Sequence, residues 1–130
     1  MRRLPDWPLR LAEYIESRHR MPFAWGSNDC AAFAAGAVHA ITGEDVDTFP
    51  RASAADAARL LASDGLIDRL DTIFGARHAV QYVRRGDIAL LDLDGRPTCG
   101  VCTGSMIAAS GADGVLLLPK SRTFCGWRVG

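Results

Sequence analysis

Neither sign of charge predominates in this chain. Fifteen Lys and Arg balance fifteen Asp and Glu over 130 residues, so the basic excess of a nucleic-acid binder is missing. Long apolar runs are missing too. The longest helical stretch without formal charge, Cys30 to Gly43, is too short to span a bilayer, so no membrane partner is expected. Arg2 and Arg3 are followed by Pro5, Asp6 and Pro8 rather than by an apolar segment, which argues against a secretory signal. Repeats, low-complexity tracts and linkers are lacking, and the length suits one domain covering 1–130. Without an export signal the four cysteines, Cys30, Cys99, Cys102 and Cys125, are expected as reduced thiols.

What is present divides into a helical first half and a stranded second half. An amphipathic helix is expected from about Asp6 to Arg20, with Trp7, Leu11, Tyr14 and Ile15 on one face and Met21-Pro22 as its stop. Arg2, Arg3, Arg10, Arg18 and Arg20 alternate there with Asp6, Glu13 and Glu16, the pattern of a solvated helix face. A second helix runs from Cys30 to Thr42 and closes at Gly43. Ser53-Ala54-Ala55-Asp56 resembles a capping box opening a third, which ends near Asp64-Gly65; Leu66 to Phe74 suggests one more, ending at Gly75. Strands are expected over Asp87–Asp92, Thr98–Thr103, Met106–Ala109, Gly114–Leu118 and Phe124–Val129, with Asp94-Gly95 a hairpin turn. Helices first and an antiparallel sheet second predict an α+β fold, with N-terminal helices packed on one face of a C-terminal sheet.

Cys30 is the most informative residue. It opens the second helix directly after two good capping residues, Asn28 and Asp29, where free N–H groups and the helix dipole favour a thiolate. Phe33, Ala34, Ala37, Val38 and Ile41 share its side, so that stripe faces the core, and Gly36 with the alanines suits a close helix–sheet approach. A buried, inert cysteine is the competing reading. Of three histidines, His39 points away from Cys30 on the same helix and His19 ends the first helix as a surface residue. His78, expected in a polar loop before the sheet, is the remaining candidate base. Cys99-Gly100-Val101-Cys102 could join Cys30 and Cys125 in a metal-stabilised binding module, but residues three apart in a strand point to opposite faces. Small core residues are the better reading, and no cofactor or metal is expected. Asp92-Leu93-Asp94-Gly95 lacks the closing Glu of a calcium loop and reads as a turn.

Phe23-Ala24-Trp25-Gly26, then Asn28-Asp29-Cys30 and a small-residue helix, resembles the start of the nucleophile helix in NlpC/P60 (papain-like) cysteine peptidases. Arg85-Gly86-Asp87-Ile88 is similar to that family's step into its first sheet strand, Gly100-Val101 to its histidine strand, and Met106 to Ala109 to the next. The resemblance covers about Phe23 to Ala109 and implies a papain-like fold, with Trp25, Asn28, Asp29 and Thr98 lining the cleft. Gly86-Asp87 reads as ordering a strand entry, with Asp87 orienting an active-site group as the lesser alternative. The departure is at Thr98, which stands where the family has its histidine; threonine cannot accept and return a proton near neutral pH. The Trp-Gly-Ser-Asn-Asp-Cys start and the Trp127-Arg128 ending look most like a phage and prophage branch of the superfamily. That implies synthesis in the bacterial cytoplasm and a place in the virion tail. The chain would be a tail-tip or tail-assembly component that contacts other tail proteins, with a degenerate site. The alternative is an active peptidase or amidase that cuts peptidoglycan, with Cys30 as nucleophile and His78 or a partner chain supplying the base.

Overall fold

A computed structural model describes residues 1–24, 28–46, 65–93 and 95–130. The first helix, α1, is Trp7–Arg18, with a proline in its first turn, where a missing N–H costs nothing. Leu11 is buried, and Trp7, Tyr14 and Ile15 pack beside it, as the helical period requires. The second helix, α2, is Cys30–Thr42. Asp29 is extended at φ −80°, ψ 177°, and its Oδ1 accepts the Ala32 N–H at 2.9 Å. At the other end Gly43 takes the left-handed conformation, φ 77°, and donates its N–H to His39 O at 2.7 Å. A third described helix, α3, is Gly65–Phe74, closed by Gly75 at φ 90°. The expected capping box at Ser53–Asp56 lies outside the described residues.

Six strands follow: β1 (His78–Ala79), β2 (Ile88–Leu93), β3 (Arg96–Cys102), β4 (Met106–Gly111), β5 (Gly114–Pro119) and β6 (Thr123–Trp127). They form one antiparallel sheet in the order β1-β6-β2-β3-β4-β5. The α+β class is therefore as expected, whereas β1 was not: His78 belongs to an edge strand rather than to a loop. Two residues are too few to show an alternating pattern.

The sheet buries apolar residues on both faces. One core joins Leu11 and the α2 residues Phe33, Ala34, Ala37, Val38 and Ile41 to Ile88, Leu90, Cys99, Val101, Ala108 and Trp127. Burying a Phe, Ile or Val side chain stabilises the fold by about 1.5–3 kcal/mol each, so this stripe dominates the docking of α2. The second cluster, Val83, Ala89, Leu91, Cys102 and Ile107, takes the alternate strand positions and so lies on the opposite face. Gly36 serves a helix–helix contact instead of the expected helix–sheet one, since a Cβ there would collide with the Tyr14 hydroxyl.

Two details of the sheet bear on its edges. Between Leu90 and Leu91 the pairing with β6 shifts register, and the bulge leaves Phe124 61% exposed. On the edge strand β5, Val115 donates its N–H to His19 O at 3.1 Å, so its backbone faces away from β4. By the alternation of antiparallel pairing, Leu117 and Pro119 face outward as well.

Candidate functional site

The start of α2 is the natural place to look for chemistry, because Cys30 is its first residue and remains partly exposed while packing against the helix-side core. The chain before it is tightly fastened. Asn28 is buried, its Nδ2 donates to Met21 O at 3.0 Å and Pro22 O at 2.8 Å, and its Oδ1 accepts from Arg18 at 3.3 Å. Asn28 N–H also reaches Ala24 O at 2.8 Å, and Asn28 O accepts the Ser110 hydroxyl at 2.7 Å. Phe23 N–H donates to Gly111 O at 3.0 Å, tying the same loop to the end of β4. Asn28 and Asp29 thus hold and cap the helix start. Trp25 lies outside the described residues.

The remaining candidates do not converge on Cys30. Thr98 pairs with Leu91, and residues directly opposite in a sheet share a face. Leu91 belongs to the second cluster, so Thr98 lies on the face away from α2, contrary to its expected place in the cleft. The β3 side chains that do face α2 are Cys99 and Val101. His78 pairs with Gly126, whose missing Cβ would point at Val83 on that same far face. Moreover β1 is three strand positions from β3, about 14 Å at the usual spacing. His78 is therefore not the base for Cys30. His39 is exposed, with Nδ1 at 2.9 Å from Asp45, and His19 is exposed just beyond α1.

Asp87 orders the entry to β2, as Gly86-Asp87 suggests, and does not take the alternative orienting role. It is buried, accepts from Arg3 Nη2 at 3.0 Å and from the Arg84 N–H at 3.0 Å, and its backbone joins Cys102. Arg3 also donates to Val129 O at 2.6 Å and Arg85 O at 3.1 Å, while Leu4 N–H bonds Ile41 O at 2.8 Å. The clamp thus sits by the end of α2, and Ile41 is about 16 Å along the helix from Cys30. Asp87 orients nothing at the thiol.

The four-cysteine alternative fails on the same geometry. Cys99 points into the helix-side core and Cys102 into the second cluster, where its thiol donates to Gly104 O at 3.4 Å. Among the described residues no group of three or more His, Cys, Asp or Glu is placed to hold a metal ion. Cys125 lies near the pair formed by Asp71 and Arg77, 3.3 Å apart, and Asp71 also accepts the Trp127 indole N–H at 2.9 Å. Burial pushes the Cys125 thiol up from its ordinary 9.0; Arg77 opposes the rise and Asp71 adds to it.

An open groove of about 590 Å³ runs along the packed α1 and α2, lined by Arg10, Tyr14, Arg18, Gly36, His39 and Asp45, among others. Cys30 does not line it. Arg10 spends its Nε on Ala40 O at 2.6 Å, and Tyr14 donates to Phe33 O at 2.8 Å. Burial raises the Tyr14 phenol above its usual 10.0, with Arg18 opposing. Arg18 and Ser110, which fasten the start of α2, escaped the sequence reading because their partner Asn28 is 10 and 82 residues away.

Residues 2–129 match the family model described as Domain of unknown function (DUF6950). The chain belongs to that family. No curated protein sequence matches it. Among the described residues no helix is long and apolar enough to cross a membrane.

Proposed function

We propose that the chain is a papain-like NlpC/P60 fold with a degenerate catalytic site, used as a structural component of a phage or prophage tail. The observation that carries this reading is the surroundings of Cys30. A cysteine opens an Asp-capped helix that packs on an antiparallel sheet, the general plan of a papain-like site, yet the facing positions of β3 hold Cys99 and Val101. The sheet's one described histidine, His78, is on the other face, and Thr98 stands on β3 where the resemblance puts the family's histidine. What surrounds the cysteine fastens a loop: Asn28, Arg18 and Ser110 are engaged with one another or with backbone. Such a site suits a scaffold that keeps the fold and drops the turnover.

Virion composition tests the reading. Particles induced from a prophage encoding the chain should contain it in fixed ratio to other tail proteins by quantitative mass spectrometry. Cys30→Ala should restore full infectivity to a deletion strain. Cleavage of purified muropeptides by the wild-type protein, lost in Cys30→Ala, would overturn the proposal in favour of an active peptidoglycan peptidase.

A further inference from the structure

The arginines near the N-terminus do not all belong to a helix face. Arg10 and Arg18 bind Ala40 and Asn28, whereas Arg2 and Arg3 precede α1 and meet two distant segments. Arg3 bonds the backbone of Arg85 and Val129 and the carboxylate of Asp87, and Gly130 packs against the backbone of Arg2 and Arg3. The fold thereby gathers Arg2, Arg84, Arg85 and Arg128 around one engaged Arg3, and all four are exposed. Among the described residues no Asp or Glu forms an ion pair with any of these four, and the one bond to their guanidiniums is from Arg128 Nε to Gly130 O at 3.4 Å. Asp87 is consumed by Arg3; Asp6, exposed just before Trp7, is the acid next in the chain. The corner is also preorganised. Trp7 carries the Arg3 guanidinium at 4.4 Å and that of Arg85 at 5.9 Å from its ring centre, which restricts both before any partner arrives.

We infer that this arginine corner docks a short acidic segment of a partner protein. Four exposed guanidiniums in a chain of zero formal net charge form a local field, not a global one. A local field suits a few carboxylates, each able to take two N–H groups of a guanidinium. A nucleic-acid groove would need a longer basic track. The inference rests on the tail-component reading only in expecting a protein partner.

Fluorescence anisotropy with labelled octaglutamate, with a neutral Gly-Ser octamer as control, tests it at low salt. The wild-type chain should bind octaglutamate and release it as salt rises. Arg84→Ser/Arg85→Ser should weaken binding by about tenfold, as should Arg128→Ser. Arg20→Ser, the same charge change beyond the far end of α1, should leave the affinity unchanged. Unaltered thermal unfolding of each variant keeps the comparison free of folding effects. The inference is overturned if octaglutamate binds no better than the neutral octamer, if Arg20→Ser weakens it equally, or if a DNA oligonucleotide binds more tightly. Any of these results leaves the virion-composition test standing by itself.

Discussion

Replacing Asp87 with alanine probes the clamp that joins the chain's first residues to its sheet. The buried carboxylate accepts from Arg3 Nη2 at 3.0 Å and from the Arg84 N–H at 3.0 Å, and the Arg3 side chain is only 21% exposed. Breaking a buried pair from one side costs about 3–5 kcal/mol. Arg3 keeps the carbonyls of Val129 and Arg85, which reduces the expected loss to about 2–3 kcal/mol. Arg3→Ala should cost a similar amount, because three hydrogen bonds and the cover over Trp7 go together. The double variant should then lose less than the sum, with a coupling of about 1–2 kcal/mol. Urea unfolding of the four proteins at pH 7 measures it, given a constant slope. A coupling below about 0.3 kcal/mol would refute the claim that this pair fastens the N-terminal segment.

Other expectations are smaller in scale. Asp29→Ala removes the Ala32 cap bond and should lower stability by about 1–2 kcal/mol in urea unfolding, with Asp29→Asn losing less. Gly36→Ala should destabilise by about 1–2 kcal/mol despite better helix propensity, because its Cβ would meet the Tyr14 hydroxyl and ring carbons, and in a Tyr14→Ala background the same change should cost less. Because Tyr14 keeps its proton above pH 10 in the fold, its stabilising contribution is complete below that pH and is lost as pH rises through the folded value. Tyr14→Phe should flatten that alkaline decline, as followed by circular dichroism. Native iodoacetamide labelling of Cys125 should show a midpoint above 9.0, and Arg77→Ala should move it higher still; a midpoint below 9.0 would contradict its burial.

Local signals were legible where one residue sets the chemistry. Asn28-Asp29 before an apolar stripe and Gly43 after it bracket α2 to the residue, since caps act within one turn. The opposite facing of Cys99 and Cys102 likewise follows from strand alternation alone. Relations between distant strands were not legible. Nothing near Thr98 says that it will pair with Leu91 and turn from α2, and nothing near His78 says that Gly126 will be its neighbour. Asp87 failed as an orienting group for a related reason: its partner Arg3 is 84 residues away and stands at the other end of α2 from Cys30. The arginine corner is the converse case, a feature made by three segments that each look unexceptional in sequence.

The outer edge of β5 also bears on how readily other chains can pair with this apolar strand. Leu117 is 57% exposed within Gly-Val-Leu-Leu-Leu-Pro, a sequence that invites other chains to add to it. Of its three outward positions, Val115 has given its donor to His19 and Pro119 has none, so Leu117 alone offers an N–H to a newcomer. With one donor left beside its outward carbonyls, the edge offers a newcomer only part of a ladder. Substituting Pro119 with valine would restore a second and make this edge the place where fibrils or amorphous precipitate begin.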